Sequence, residues 1–592
     1  MLKNYLLVAL RGLRAQRGTT LLNVVGLAVG LACALLTGLY VRHELSYDRF
    51  HEHADRIVRV AKDEPGSEFM GTSRYALTPA PLAEALMRDV PEVERAAQVQ
   101  AVEALLGTDP DTRAYRDGLF ATRHFFDVFT FDLLDGDPAT ALAEPNSVVL
   151  TASTARAYFG DTNPLGQTLD GRLGDDAAAL TVTGIVAEAP SNSHLAFDFL
   201  LAMTTSEYYT RTVERDRWGS SDYHTYALLR PDATPDDLTP ALDAFAQTYI
   251  APLDFFRENP ERLTVFFTQP LTDLHLRSDL NFELGVGGSE RYVWLVAAIG
   301  VLILLLACVN YTNLATARGA TRAQEVGVRK AIGGRRAQVV AQFLGESVLM
   351  AALALVLALV LVHALLPMFG DLVERPLSVD YGSGWLVPGL VLLVGAVGVV
   401  AGSYPALFMA RLEPMQVLKG TVRGSRSRPL LQRVLIVGQY AASIVLVVGS
   451  LVVFQQLRFV SQSDPGYERE NVVTMRLADW SLREHVASIE ARWSTHPSVV
   501  TTASVGELPT SISSSTSLDT WEGHPESLEE DMTFYQMPTT HDVLDVFGLD
   551  LVAGRSFDRA IDADTSLVLL LNETAVRDMG WTPQEAVGRW IS

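Results

Sequence analysis

Five stretches of this 592-residue chain contain no Asp, Glu, Lys or Arg: 18–41, 292–317, 347–370, 381–410 and 434–457. A helix advances about 1.5 Å per residue, so each stretch is long enough to cross the roughly 30 Å hydrocarbon core of a bilayer. No ordinary globule has room for five such elements, and they predict five membrane-spanning helices. The first outlasts the roughly 7–15 residues of a signal-peptide core. It runs on into "YVRHELSYDRF" (40–50) with no small-residue cleavage site, and reads as a retained helix.

The charges between these stretches set an expected orientation. Segments 1–17, 318–346 and 411–433 hold 16 of the 47 basic residues and only 3 of the 69 acidic ones. Short basic links stay on the cytoplasmic side. The N-terminus is therefore expected inside, and the acidic segments 42–291, 371–380 and 458–592 outside. With a net charge of −22, carried by those outer segments, a nucleic-acid partner is excluded. The two cysteines, Cys33 and Cys308, both fall in predicted spans, so no disulfide framework supports the outer domains.

Segment 2–14 is amphipathic and expected to lie on the inner membrane surface before the first span. Segment 42–291 mixes strand-like runs (56–61, 180–188, 223–230) with helical ones (79–90, 236–251), predicting an α+β domain. Segment 458–592 repeats it in part. "DVFTFDLLDG" (127–136) and "DVFGLDLVAG" (545–554) agree at six of ten positions, 418 residues apart. Thr154, Ala155, Gly160 and Gly166 meet Thr574, Ala575, Gly580 and Gly588 in the same order. The fold class is thus an α-helical transmembrane bundle plus α+β extracytoplasmic domains. It is arranged as a tandem repeat of one span, an outer domain and three spans, with the second copy incomplete. On this expectation the sequence stops inside its second outer domain.

The link 318–346 is the most informative short segment. Arg318, Arg322, Glu325 and Arg329 recur at helical spacing on one face, and Gly333-Gly334 should break the helix into a corner before the third span. That face suits a soluble partner, although a basic cluster resting on lipid head groups has the same periodicity. In the first span, Gly26, Gly30, Ala34 and Gly38 form a small-residue stripe fit for close helix packing. Asn310, Asn313 and Thr316 either bond across helices or sit at head-group level. The "HEH" at 51–53 lacks the H-E-x-x-H spacing of a zinc site and reads as a solvated loop.

The segment "NYTNLATARGATRAQEVGVRKAIGGRRAQVVAQFLGESVL" (310–349) resembles the signature of the FtsX-like permeases, the membrane subunits of MacB-type ABC transporters. "GSYPALFMARLEPMQVLKG" (402–420) resembles it too. Segments 77–99 and 182–200 are similar to that family's MacB-like extracytoplasmic domain. The resemblance implies a permease of a bacterial inner membrane, moved by a cytoplasmic ATPase subunit, expected as a dimer. It makes Arg318, Arg322, Glu325, Gly327, Arg329, Lys330, Gly333 and Arg335 the candidates for that contact. None of the four lysines lies in a G-x-x-x-x-G-K-[ST] loop, so ATP and Mg are expected on the partner, with no cofactor, metal or catalytic residue in this chain. A periplasmic adaptor or a second permease chain would complete the assembly. The rival class is a membrane-anchored sensor whose outer domain detects a ligand or controls an envelope hydrolase.

Overall fold

A computed structural model of the chain describes residues 17–65, 72–109, 112–173, 176–333, 335–411, 430–477, 482, 485–510, 512, 514–518, 520–523, 532–558 and 568–591. The predicted amphipathic segment 2–14 lies outside them, as does most of the basic link 411–433. The chain divides into two compact units, residues 1–173 with 177–447, and residues 448–592 with 174–176.

Among the described residues, five helices are long and apolar enough to cross a membrane. They are α1 (Arg17–Leu45), α2 (Glu290–Ala331), α3 (Arg336–Val373), α4 (Leu386–Arg411) and α5 (Leu430–Gln462). Exposed aromatic residues mark where two of them start, Tyr292 and Trp294 on α2 and Tyr381 and Trp385 ahead of α4. Amphipathic rings of this kind favour the head-group level. In the first unit α1–α4 share one apolar core. It contains Leu27, Ala28 and Leu31 from α1, Cys308 and Tyr311 from α2, Ala351, Ala354 and Ala358 from α3, and Val394, Val397 and Ala401 from α4. Alanine dominates because helices in lipid gain little from burying apolar area and associate instead by close packing.

Between α1 and α2 the chain builds a domain around an eleven-stranded sheet. Its strands are β1 (Ile57–Asp63), β2 (Arg74–Tyr75), β3 (Val93–Gly107), β4 (Ala114–Ala121), β5 (Leu133–Gly136), β6 (Ser147–Thr151), β7 (Thr168–Leu173), β8 (Asp176–Val186), β9 (Phe199–Ala202), β10 (His224–Leu229) and β11 (Val265–Pro270). The order is β11-β1-β10-β3-β4-β9-β6-β8-β5, with β2 on β1 and β7 joining β3 and β8. β4 with β9 and β6 with β8 pair in parallel, and the other ladders along that order are antiparallel. Successive strand residues point to opposite faces. In β10 this sends Tyr226 and Leu228 into one core and Ala227 and Leu229 into another, so the sheet is covered on both sides. That explains why β10 reads as a continuous apolar run instead of an alternating one.

The second unit contains the rest of α5 and a smaller body. It has an antiparallel pair (Ser515–Leu518, Met532–Tyr535) and short helices (Val543–Phe547, Glu573–Asp578), with a small core of Trp521, Val576, Met579 and Trp581 against which Phe534 packs.

Candidate functional site

The predicted corner after the second span forms, but its helical arm is no separate element. α2 runs without interruption from its membrane-spanning part to Ala331, then turns at Ile332 and at Gly333, whose φ of 101° is open to glycine alone at little cost. α3 starts at Arg336, where Gln338 Oε1 accepts from the Arg335 N–H at 3.1 Å and the Gln338 N–H donates to the Arg335 carbonyl at 3.0 Å. Arg318, Arg322 and Glu325 lie on the α2 backbone, and their side chains are outside the described residues. Gly327 is buried, beside a small core of Val326, Val339, Met409 and Ala410.

Two of the expected contact residues serve the corner itself. Arg329 donates to Gln342 Oε1 of α3, and Gln342 in turn donates to Glu346 at 3.2 Å. Lys330 Nζ donates to the carbonyl of Ala410 at the end of α4, at 2.6 Å. These bonds brace α2, α3 and α4 into one rigid end. What the corner presents outward is Ile332, 82% exposed, with Val328, Gly333, Arg335 and Arg336 around it. Charge periodicity carries no sign of this isoleucine, whose sequence signal is a lone Ile between Ala331 and two glycines.

The small-residue stripe of α1 is used over part of its length. A Cβ on Gly30 would sit 2.4 Å from Ala307 Cβ, and Gly26 lies against Asn310. Ala34 is half-buried, and Gly38 faces open space. The seam continues through Thr37, whose hydroxyl would be 2.2 Å from a Cβ on Gly300. Of the polar residues in α2, Asn313 donates across to Gln439 of α5 at 3.5 Å, while Thr316 bonds its own helix at Thr312 O. The stronger cross-helix bonds come from neighbours that drew no attention: Thr312 to Ala401 O at 2.8 Å and Tyr311 to Ser347 at 3.0 Å.

At the other end of the bundle a cluster of histidines joins α1 and α2 to the domain. The "HEH" reading as a solvated loop is corrected here, because His51 is buried, its Nδ1 accepting from the Thr130 N–H at 3.1 Å. Burial drives the His51 imidazole down to about 4, against the pull of Asp48. Asp48 is fully buried on the Nδ1 of His194 at 2.9 Å, and His194 Nε2 meets the Tyr226 hydroxyl at 2.9 Å. Burial would raise Asp48, yet His194 holds it below the usual carboxylate range. His224 bonds the Phe282 carbonyl through Nε2 at 2.8 Å, and burial pushes its imidazole down to about 4 as well. Arg59, 1% exposed, is held by both Glu283 oxygens, by Gln269 at 2.6 Å and by Ser278 at 2.9 Å. Glu283 stays low because the Arg59 hydrogen bonds outweigh its own burial.

These features define a multi-span membrane protein with a large α/β domain inserted between its first two spans. Residues 20–245 match the MacB-like periplasmic core domain, and residues 297–414 match the FtsX-like permease C-terminal domain. With both domains in chain order, the chain is consistent with an FtsX/MacB-type ABC transporter permease. It is similar to the macrolide export ATP-binding/permease protein MacB of Agrobacterium fabrum, 27% identical over 300 residues covering 50% of this chain and 42% of that protein. It is also similar to MacB 1/2 of Paracoccus denitrificans, 26% identical over 432 residues covering 70% and 58%. The chain thus spans less than two thirds of either relative. Among solved structures, the periplasmic region of MacB from Actinobacillus actinomycetemcomitans is 14% identical, covering 37% of this chain and 91% of that one, with a TM-score of 0.25.

Proposed function

We propose that this chain is the membrane-spanning subunit of an ABC transporter, with N-terminus cytoplasmic and the large domain periplasmic, that couples ATP hydrolysis on a separate ATPase to movement of that domain. The observation that carries the reading is the braced corner at residues 328–336, which offers an exposed apolar tip on a rigid base. A partner that closes around ATP needs a part that transmits force without deforming, and Arg329 and Lys330 give the corner that stiffness by locking three helices together. The contact surface is then Ile332 with Arg335, while Arg329 and Lys330 act from behind it. The nucleotide and its Mg belong to the partner, and the chain itself carries out no chemistry. Cargo is drawn from the membrane or the periplasm, as a lipoprotein, a peptide or an amphipathic drug; the similarity to macrolide export proteins supports the last of these.

Ile332→Asp tests the contact. Burying a full isoleucine side chain contributes about 2–3 kcal/mol, and an unpaired carboxylate in its place adds a desolvation cost. Co-purification with the cognate ATPase is expected to weaken by roughly 30-fold or more, with membrane insertion unchanged. Equal recovery of the ATPase with wild type and variant would place the contact elsewhere.

Residues 458–592 read best as a second, partial copy of the domain in 42–291. The supporting geometry is local and repeated. Gly136, Gly160 and Gly166 adopt positive φ in the first, and their counterparts Gly554, Gly580 and Gly588 do so in the second.

A further inference from the structure

Glu44 occupies the last turn of α1, where a carboxylate has every reason to reach water, yet its side chain is 1% exposed. Two groups from distant parts of the chain, and the neighbouring His43, surround it. His275 Nε2, from the helical turn Leu274–Arg277 that closes the domain, lies 2.9 Å from Oε2. Arg375 Nε, from the loop after α3, donates to Oε1 at 3.1 Å, and His43 Nδ1 lies 3.5 Å from the same oxygen.

Each partner is itself fixed. The Tyr47 ring stacks on the His275 imidazole, with centroids 3.4 Å apart and planes 7° from parallel. Gly288, just before α2, donates its N–H to the His275 carbonyl at 2.7 Å. A Cβ there would lie 2.9 Å from both Glu44 Oε2 and His275 Nε2, so the strand returning to the membrane is pressed against the cluster. Arg375 follows a left-handed Glu374 (φ 52°) that ends α3. The Arg375 N–H bonds Gly370 O at 3.0 Å and the Glu374 N–H bonds Asp371 O at 3.4 Å. This is the paired Schellman closure, here without the usual glycine, and it fixes the path on which Arg375 leaves the helix.

We propose that Glu44 is the pin of a mechanical joint, through which displacement of α3 is delivered to the base of the large domain by the link Arg375–Glu44–His275. α3 is a single helix of 38 residues, about 55 Å long, whose other end is the corner at Arg335. The helix has the corner at one end and the joint at the other, and from there the link reaches the domain through Glu44 in the last turn of α1. The ionic pin holds because removing one partner leaves a buried, uncompensated carboxylate. The joint itself stands on geometry; its use in transport rests on the permease reading.

The test follows hydrogen exchange at residues 271–289 in the full chain, reconstituted in lipid nanodiscs. Without nucleotide, Arg375→Ala is expected to speed exchange at the Gly288 amide and its neighbours at least tenfold. Strand β6 should stay unchanged, and Arg375→Lys should lie close to wild type. Unaltered exchange in Arg375→Ala would overturn the joint. Adding the cognate ATPase with ATP then separates the two claims. Wild type is expected to show a nucleotide-dependent change at 271–289 that Arg375→Ala loses while still retaining the ATPase. A change that persists in Arg375→Ala overturns transmission through the pin. A wild type that binds the ATPase but shows no change overturns the coupling reading and leaves the joint, decided by the nucleotide-free arm, intact.

Discussion

Gly398→Val is expected to destabilise the membrane bundle by about 3 kcal/mol, whereas Gly395→Val, one turn away on the same helix, is expected to be neutral. A Cβ at Gly398 would lie 2.7 Å from the Cα of Val348 and 3.0 Å from its backbone N, and backbone atoms do not step aside. α3 and α4 would have to separate. That would strain the neighbouring contact of Gly402, where a Cβ would come within 2.5 Å of Ser347 Oγ, and with it the Tyr311–Ser347 bond. Nothing lies within 4 Å of a Cβ at Gly395. The same contrast holds in α1, with Gly30 closed by Ala307 and Gly38 open. The measurement is the fraction of full chain that stays monodisperse in mild detergent after heating. Equal losses for Gly395→Val and Gly398→Val would mean that the α3–α4 seam is not as close as described.

The two halves of this fold were unequally legible. Spans announce themselves through the absence of charge over more than twenty residues, and the sheet through runs such as 56–61 and 223–230, which became β1 and β10. Both signals are local, and local patterning survives folding. The polar joints are different. Glu44 meets His275 across 231 positions and Arg375 across 331, and no spacing rule reaches that far. For the same reason the "HEH" looked solvated: three polar residues in a row carry no hint that Phe129 and Phe131 will close over the first of them. At the corner, periodicity marks the segment and Arg329, which is exposed, but not the bond that Arg329 makes across the turn. Its partner Gln342 lies beyond Gly333, where the helical register on which the pattern rests is reset.

That buried polar base makes acid a second large lever. His51 and His224 are 3% and 5% exposed, and each imidazole is pushed from 6.5 to about 4, first of all by burial. Asp48 pulls His51 upward and Glu283 pulls His224 upward, while His194 opposes both and Arg59 opposes the second. Between pH 6.5 and about 4 the unfolded chain therefore binds protons that the native base refuses, so stability falls as pH falls. At 1.36 kcal/mol per unit, each histidine withdraws roughly 3 kcal/mol by the lower end of that window. Asp48 and Glu283, both held low in the native state, lose their contribution only below the ordinary carboxylate range and extend the slope in the same direction. The melting transition of the full chain, followed by tryptophan fluorescence from about pH 7.5 to about 4.5, should move steadily down. His51→Asn keeps an acceptor for Thr130 N, and His224→Gln keeps a donor for the Phe282 carbonyl, while neither titrates. Together they should flatten most of the slope. A double variant as acid-sensitive as wild type over that window would show that these two rings do not set the slope.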